Sequence, residues 1–222
     1  MVLLFLYSQL FNKVMINLSK GGRINLSKES NNGLSKLFFG SNWGAIRRRG
    51  LFGIGGSIEK VDLDSTVLLY DANKNCIGEV AYYNLSAPGI RHSGDDRSGD
   101  TNGNDGLDNE TIEVCLNELD PRVEYIAFTL NNFTHQTFGE IPYMGLRIYT
   151  GDRVQRDTST PVNVLAKFNL EDGKEGTKIS DKQAVILGVA YKKDGEWRFK
   201  AVGEFGGWTS ISAMKRPTIA FL

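Results

Sequence analysis

Apolar and polar residues alternate with a period of two in a series of short runs along the chain, and Gly, Asn, Asp or Pro separates one run from the next. Such runs occupy 37–39, 61–70, 80–83, 111–114, 125–130, 146–150, 164–170, 184–191 and 197–202, most of them rich in β-branched or aromatic residues. Side chains that alternate between two environments are what a half-buried strand requires, so each run is a predicted strand. No segment keeps a helical apolar period over the roughly twelve positions that a stable helix prefers. Short helical turns are expected only near Leu116 to Leu119 and after Trp208. The predicted fold class is all-β: a two-sheet antiparallel β-sandwich with few short helical turns.

Two local patterns sharpen this. Within Tyr191 to Phe199, Asp194-Gly195 supplies the positive φ angles of a two-residue turn, which predicts a hairpin. Near the start, Ile16-Asn17-Leu18-Ser19-Lys20 is almost repeated as Ile24-Asn25-Leu26-Ser27-Lys28, with Gly21-Gly22 between them. The alternation and the intervening glycines predict an opening hairpin.

Residues 1–11 are apolar but cover only about half of the ~20 positions a membrane-spanning helix needs. They lack the charged start and small-residue cleavage site of a secretory signal. Residues 1–14 are therefore expected to be an extension ahead of a domain at 15–222, either preceding a true start at Met15 or acting as a short interfacial anchor. No transmembrane segment is expected.

With 222 residues, 41% of them hydrophobic, the chain can bury one substantial core. Its 26 basic and 26 acidic residues cancel, so no global field draws it to nucleic acid. Cys76 and Cys115 are widely spaced and fit neither a disulfide framework nor a zinc site. Balanced overall, the charge is uneven along the chain. The first quarter is basic, and 95–124 is dense in carboxylates.

That density falls in the one stretch without strand pattern, 86–109, and a loop so long inside a compact domain is functional or disordered. From His92 to Glu110 hard oxygen donors are interleaved with glycine, without thiols or clustered imidazoles. Calcium takes about six to eight oxygen ligands in flexible geometry, and glycines let backbone carbonyls turn inward to join them. The candidate ligands are Asp95, Asp96, Asp100, Asn102, Asn104, Asp105, Asp108 and Glu110. An EF-hand does not fit: Asp105 stands where the sharp-turn glycine belongs and Thr111 where the bidentate Glu belongs. The competing expectation is a solvated acidic loop. His92 is expected to cap or orient the loop, and His135 to be structural in a strand-end turn. Asp62 and Asp64 add a pair projecting from one face of a strand while Leu63 faces the core. Like charges side by side destabilise a strand unless a cation lies between them, or unless the face is simply exposed.

Several segments in order resemble landmarks of the TerD family: Leu18 to Gly22 with its repeat, Gly40-Ser41-Asn42-Trp43, Val61 to Ser65, His92 to Asp96 with Leu107 to Glu110, Asn132 to Gly139, and Gly195 to Gly203. Each is weak alone. The resemblance covers nearly everything after Met15 and implies a calcium-binding, non-catalytic stress-response protein of the cytoplasm. Such a protein works beside sibling Ter proteins, with room for a membrane-associated partner, in resistance to tellurite, phage and colicins. It places the family's acidic landmarks on Asp62, Asp64, Asp95, Asp96, Asp108 and Glu110, and more than one calcium ion is expected. Asp100, Asn102, Asn104 and Asp105 lie in a stretch longer than the commonest family form. The alternative is a metal-dependent nucleotide- or phosphate-binding protein or enzyme, with Arg47, Arg48 and Arg49 as countercharge to the loop-bound metal. The plainer expectation for these three arginines is a solvated loop. Thiol chemistry on tellurite would need Cys76 and Cys115 exposed and adjacent.

Overall fold

A computed structural model describes residues 15–28, 35–50, 54–132, 134, 136–170, 179 and 181–222. The expectations for 1–14 and for His135 lie outside these residues. Fifteen strands follow one another: β1 (Ile16–Leu18), β2 (Arg23–Asn25), β3 (Lys36–Trp43), β4 (Ile46–Arg49), β5 (Gly56–Glu59), β6 (Leu63–Tyr70), β7 (Cys76–Val80), β8 (Ser86–Ala87), β9 (Ile90–His92), β10 (Glu110–Cys115), β11 (Tyr125–Asn132), β12 (Met144–Thr150), β13 (Asn163–Asn169), β14 (Ala184–Lys193) and β15 (Glu196–Gly206). A 3-10 turn at Leu116–Glu118 and one helix, α1 (Ile211–Thr218), stand where helical turns were expected.

The strands form a seven-stranded sheet ordered β1-β13-β12-β3-β10-β9-β8 and a six-stranded sheet ordered β2-β15-β14-β11-β6-β7, with β4 and β5 as a separate hairpin. Between the large sheets the inward side chains make one core, in which Phe39 of β3 stacks on Phe128 of β11 with ring centroids 3.8 Å apart. A smaller apolar layer lies on the other face of the six-stranded sheet. There Ile211 and Met214 of α1 pack with Leu68, Tyr70, Ala127 and Val189. Strand β6 is thus covered on both faces, and all eight of its residues are buried. Any polar side chain it carries is buried with it.

The β14–β15 hairpin turns through Asp194 at φ 55° and Gly195 at φ 76°, as the sequence predicts. The opening hairpin does not form. β1 pairs in parallel with β13 in one sheet, whereas β2 pairs with β15 in the other. Gly21, at φ 83°, turns the corner between them, and its amide donates to the Ala201 carbonyl. The alternation in both INL segments buries Leu18 and Ile24, but a period of two shows which residues face inward and not which strand lies alongside. The β1–β13 pair also makes the seven-stranded sheet mixed rather than purely antiparallel.

Two further expectations are corrected. Arg47, Arg48 and Arg49, expected in a solvated loop, lie on β4 and pair with β5. The stretch 86–109 is not wholly irregular either, since β8 and β9 extend the edge of the seven-stranded sheet as far as His92.

Candidate metal centre

The loop from 93 to 109 is tied at both ends and along its length. Ser93 exchanges hydrogen bonds with Thr111, its amide donating to the Thr111 carbonyl and its hydroxyl accepting from the Thr111 amide. Farther along, the Val61 amide donates to the Ser98 carbonyl, the Asp100 amide to the Trp43 carbonyl and the Asn109 amide to the Ser41 carbonyl. Trp43, fully buried, donates its indole N–H to the Val61 carbonyl at 2.9 Å and its backbone amide to Asn109 Oδ1 at 2.8 Å. These bonds tie the loop to β3, to β10 and to the segment that leads into β6.

Gly99 shows how close that fit is. It sits at φ +64°, and a Cβ there would lie 2.7 Å from Trp43 Cδ1. Replacing Gly99 with Ala is expected to cost about 2 kcal/mol, from backbone strain plus overpacking, and to lower the melting temperature by roughly 4–8 °C. Gly94→Ala is the comparison. It shares the positive φ but meets nothing within 4 Å, so thermal unfolding should show about half that loss.

Where the loop reaches β6, three carboxylates converge. Asp62, Asp64 and Asp95 each present a carboxylate oxygen, and these oxygens all lie within 4.8 Å of one another. Asp64 is only 4% exposed, whereas Asp62 is half-buried and Asp95 exposed, so the cluster opens to solvent on one side. Burial, then the neighbouring charges of Glu110, Asp62 and Asp95, push the Asp64 carboxyl up to about 8. Asp62 is raised by burial and by Asp95, against the opposing pull of Arg97 at 3.6 Å.

Behind the trio lies a buried support. β7 stops at Val80, opposite Val67, so the backbone of Ser65 finds its partners elsewhere. Its amide donates to Glu110 Oε2 at 2.7 Å, and its carbonyl is 3.1 Å from His92 Nε2. The Gly94 amide donates to His92 Nδ1, so Nδ1 is unprotonated and the ring proton sits on Nε2, pointing to Ser65. His92 is thus a strut between the loop and β6, in keeping with its expected orienting role. Glu110, fully buried, also accepts from the Asp96 amide through Oε1.

The other loop residues point elsewhere. Asp96 accepts from the Ser98 amide and hydroxyl, the Gly99 amide and Asn109 Nδ2. Burial alone would raise its carboxyl, but these bonds hold it below the usual range. Asp100 accepts from Tyr143 at 2.6 Å and from Asn109. Asn104 and Asp105 receive the Gly106 and Leu107 amides in tight local turns, and Asn102 is exposed. Asp108 is held by Arg147 through both oxygens, at 2.6 and 2.9 Å. Its carboxyl is still raised, because burial outweighs the guanidinium. Of the ten sequence-derived candidates, the structure gathers Asp62, Asp64 and Asp95, sets Glu110 behind them, and uses most of the others to shape the loop.

One residue at this site escaped sequence reading. Asn131 is the cross-strand partner of Asp64, so their side chains share a face. It is 2% exposed, and its Oδ1 has no hydrogen-bond partner among the described residues. Buried amide oxygens are normally satisfied, so an unpartnered one opposite Asp64 is a further oxygen that could serve a cation at this cluster. No loop motif marks Asn131. Only the pairing of β11 with β6 reveals it.

Carboxylate and amide oxygens, with the imidazole committed to the backbone, fit a hard cation, and calcium better than a thiol-seeking metal. The fold and site together define a β-sandwich with an oxygen-lined acidic centre at the end of its sheets. A TerD domain model matches residues 14–213, and the chain belongs to the TerD family. It is 30% identical over 192 residues to the tellurium resistance protein TerZ of Serratia marcescens, covering 85% of this chain and 89% of that one. It is 31% identical over 200 residues to stress response protein SCP2 of Bacillus subtilis, covering 85% and 92%. The solved structure of a TerD homologue from Streptomyces coelicolor, SCO6318, superposes with a TM-score of 0.52 at 16% identity, over 80% of this chain and 92% of that chain. That likeness shows the shared fold.

Proposed function

We propose that this protein is a calcium-binding, non-catalytic stress-response protein of the cytoplasm. In this role the ion neutralises Asp62, Asp64 and Asp95 and thereby locks the 93–109 loop against β6. The observation that carries the proposal is the convergence of exposed Asp95 and half-buried Asp62 on buried Asp64, with the unpartnered Asn131 Oδ1 across the strand pair from Asp64. The printed names of the relatives from Serratia and Bacillus support the stress-response setting. Asp62, Asp64, Asp95 and Asn131 would hold the ion, and backbone carbonyls or waters would complete the six to eight oxygens that calcium takes. Glu110 and His92 keep Ser65 in place behind it. Sibling Ter proteins are the partners we expect the ordered loop to meet, with a membrane-associated partner among them. No helix among the described residues is long and apolar enough to cross a membrane.

The alternative, loop metal with Arg47 to Arg49 as phosphate countercharge, has less support. Arg48 is committed to Glu59 at 2.6 Å and Glu140 at 2.8 Å, and Arg47 donates to the Thr101 carbonyl. Cys76 and Cys115 lie on different sheets, and burial raises both thiols, which speaks against thiol chemistry on tellurite.

The raised Asp64 carboxyl makes a test. An Asp titrating near 8 in the metal-free fold and near 3.8 unfolded favours the folded state fully below about pH 4, and that contribution is lost as pH rises through 8. Calcium takes the charged form, so its binding releases a proton below pH 8. Calorimetric titration at pH 6.5 and 8.5 should show calcium binding at least about tenfold tighter at the higher pH. The melting temperature gain from calcium should grow in the same direction. Calcium that neither binds nor stabilises at pH 8.5 would sink the proposal.

A further inference from the structure

Far from the acidic centre, the outer face of the six-stranded sheet is only partly roofed. α1 covers Leu68, Tyr70 and Ala127, and between the end of the chain and the β14–β15 hairpin a cleft of about 380 Å³ remains. Strand register sets its walls. Arg23 is the cross-strand neighbour of Lys200, Lys200 of Val189, Arg198 of Tyr191, and Tyr191 of Tyr125. All therefore project from the same face. Val189, Tyr191 and Tyr125 make an apolar, aromatic floor, with Phe221 beside it.

The rim is rich in cations, with Glu196 opposite Lys193 across the hairpin. Arg198 is balanced by Asp194 and Glu196. Lys200 lies over the Phe221 ring, 5.8 Å from its centroid. Arg23 and Lys193, also lining the cleft, have no carboxylate within ion-pair distance among the described residues. Arg23 and Lys200 are like charges directly opposite on adjacent strands, an arrangement that destabilises a sheet unless an anion stands between them.

We propose that this cleft binds a small aromatic phosphate, a planar ring carrying one phosphoryl group. The ring would lie against Tyr191 and Phe221. The dianion would be held between the Arg23 guanidinium, whose fork matches phosphate oxygens, and the ammonium groups of Lys193 and Lys200. The volume is at the low end of small-molecule sites, which suits a mononucleotide-sized ligand and excludes much larger ones. Tyr125 and Asn131 are six positions apart on β11, roughly 20 Å at about 3.3 Å per residue. The cleft and the acidic centre are therefore separate sites that can be tested independently.

The experiment is a calorimetric titration of the full chain with adenosine 5′-monophosphate, adenosine, inorganic phosphate and vesicles containing anionic lipid, each with calcium and with chelator. Saturable binding of the monophosphate is expected, at least about tenfold tighter than adenosine or phosphate alone and unchanged by chelator. Lys193→Glu combined with Lys200→Glu should weaken it at least about tenfold, whereas Arg49→Glu, on the β4–β5 hairpin and not among the residues that line the cleft, should not. Melting curves check that each variant folds. The proposal is overturned if the monophosphate does not bind, if the double variant binds it as the parent does, or if only the vesicles bind.

Discussion

Replacing Asp64 with Asn is expected to raise the melting temperature of the metal-free protein at pH 8 while weakening calcium binding by about a hundredfold or more. Both effects have one cause. In the apo fold Asp64 is a buried carboxylate facing Glu110, Asp62 and Asp95, and its carboxyl is displaced to about 8. Folding at pH 8 therefore buries a carboxylate that is already ionised in the unfolded chain, or makes it take up a proton, and either costs stability. The isosteric amide removes that charge and keeps the shape. Relief of a few kcal/mol at most would appear as a gain of roughly 5 °C, since about 1 kcal/mol moves the midpoint of a chain this long by 2–4 °C. The amide keeps one carbonyl oxygen for the ion but loses the charge that attracts it, and carboxylate count is what sets calcium affinity in such sites. Thermal melts and calcium titrations on parent and variant test both halves. If the variant were less stable without metal and bound calcium as tightly as the parent, the trio would not be a cation site.

This opposition between apo stability and ligand affinity was partly legible in the sequence. Asp62-Leu63-Asp64 states its alternation openly, and the hazard of two like charges on one strand face follows from it. Burial on both faces of β6 could not be read there, because it depends on α1 folding back over the outer layer, and eight residues near the end of the chain do not announce where they dock. The carboxylates of the loop were conspicuous, but conspicuousness did not separate ligands from scaffold. Asp96, Asn104 and Asp105 use the same kind of oxygen to receive nearby amides that Asp95 leaves free for the trio. Asn131 is silent in sequence because its significance is a register, Asn131 opposite Asp64. The misplaced opening hairpin has the same origin: alternation specifies a face, and long-range pairing specifies the partner.

Asp108 poses that question of ligand against scaffold most directly, and Arg147→Met answers it. The variant is expected to lose about 3–5 kcal/mol, since it strands a carboxylate that is almost fully buried. Asp108 would keep the Thr111 hydroxyl, at 3.4 Å, and the Tyr149 hydroxyl, neither of which carries a charge. The melting temperature should fall by roughly 10 °C at pH 7.5. The fall should be smaller at pH 5, because a buried carboxyl with a raised pKa is protonated more cheaply there, and the stability it retains is lost as pH rises. Adding Asp108→Asn should restore at least half of the loss by removing the unpaired charge. Room for this carboxylate is made by Gly40, where a Cβ would fall 2.0 Å from Asp108 Oδ2, so the pair belongs to the packing of β3, β10 and β12. Calcium affinity of folded Arg147→Met should stay within about threefold of the parent, because Asp108 is spent on Arg147 and takes no part in the Asp62, Asp64 and Asp95 cluster. A loss of affinity as large as that of Asp64→Asn would instead make Asp108 a ligand and extend the ion's reach across the loop to the seven-stranded sheet.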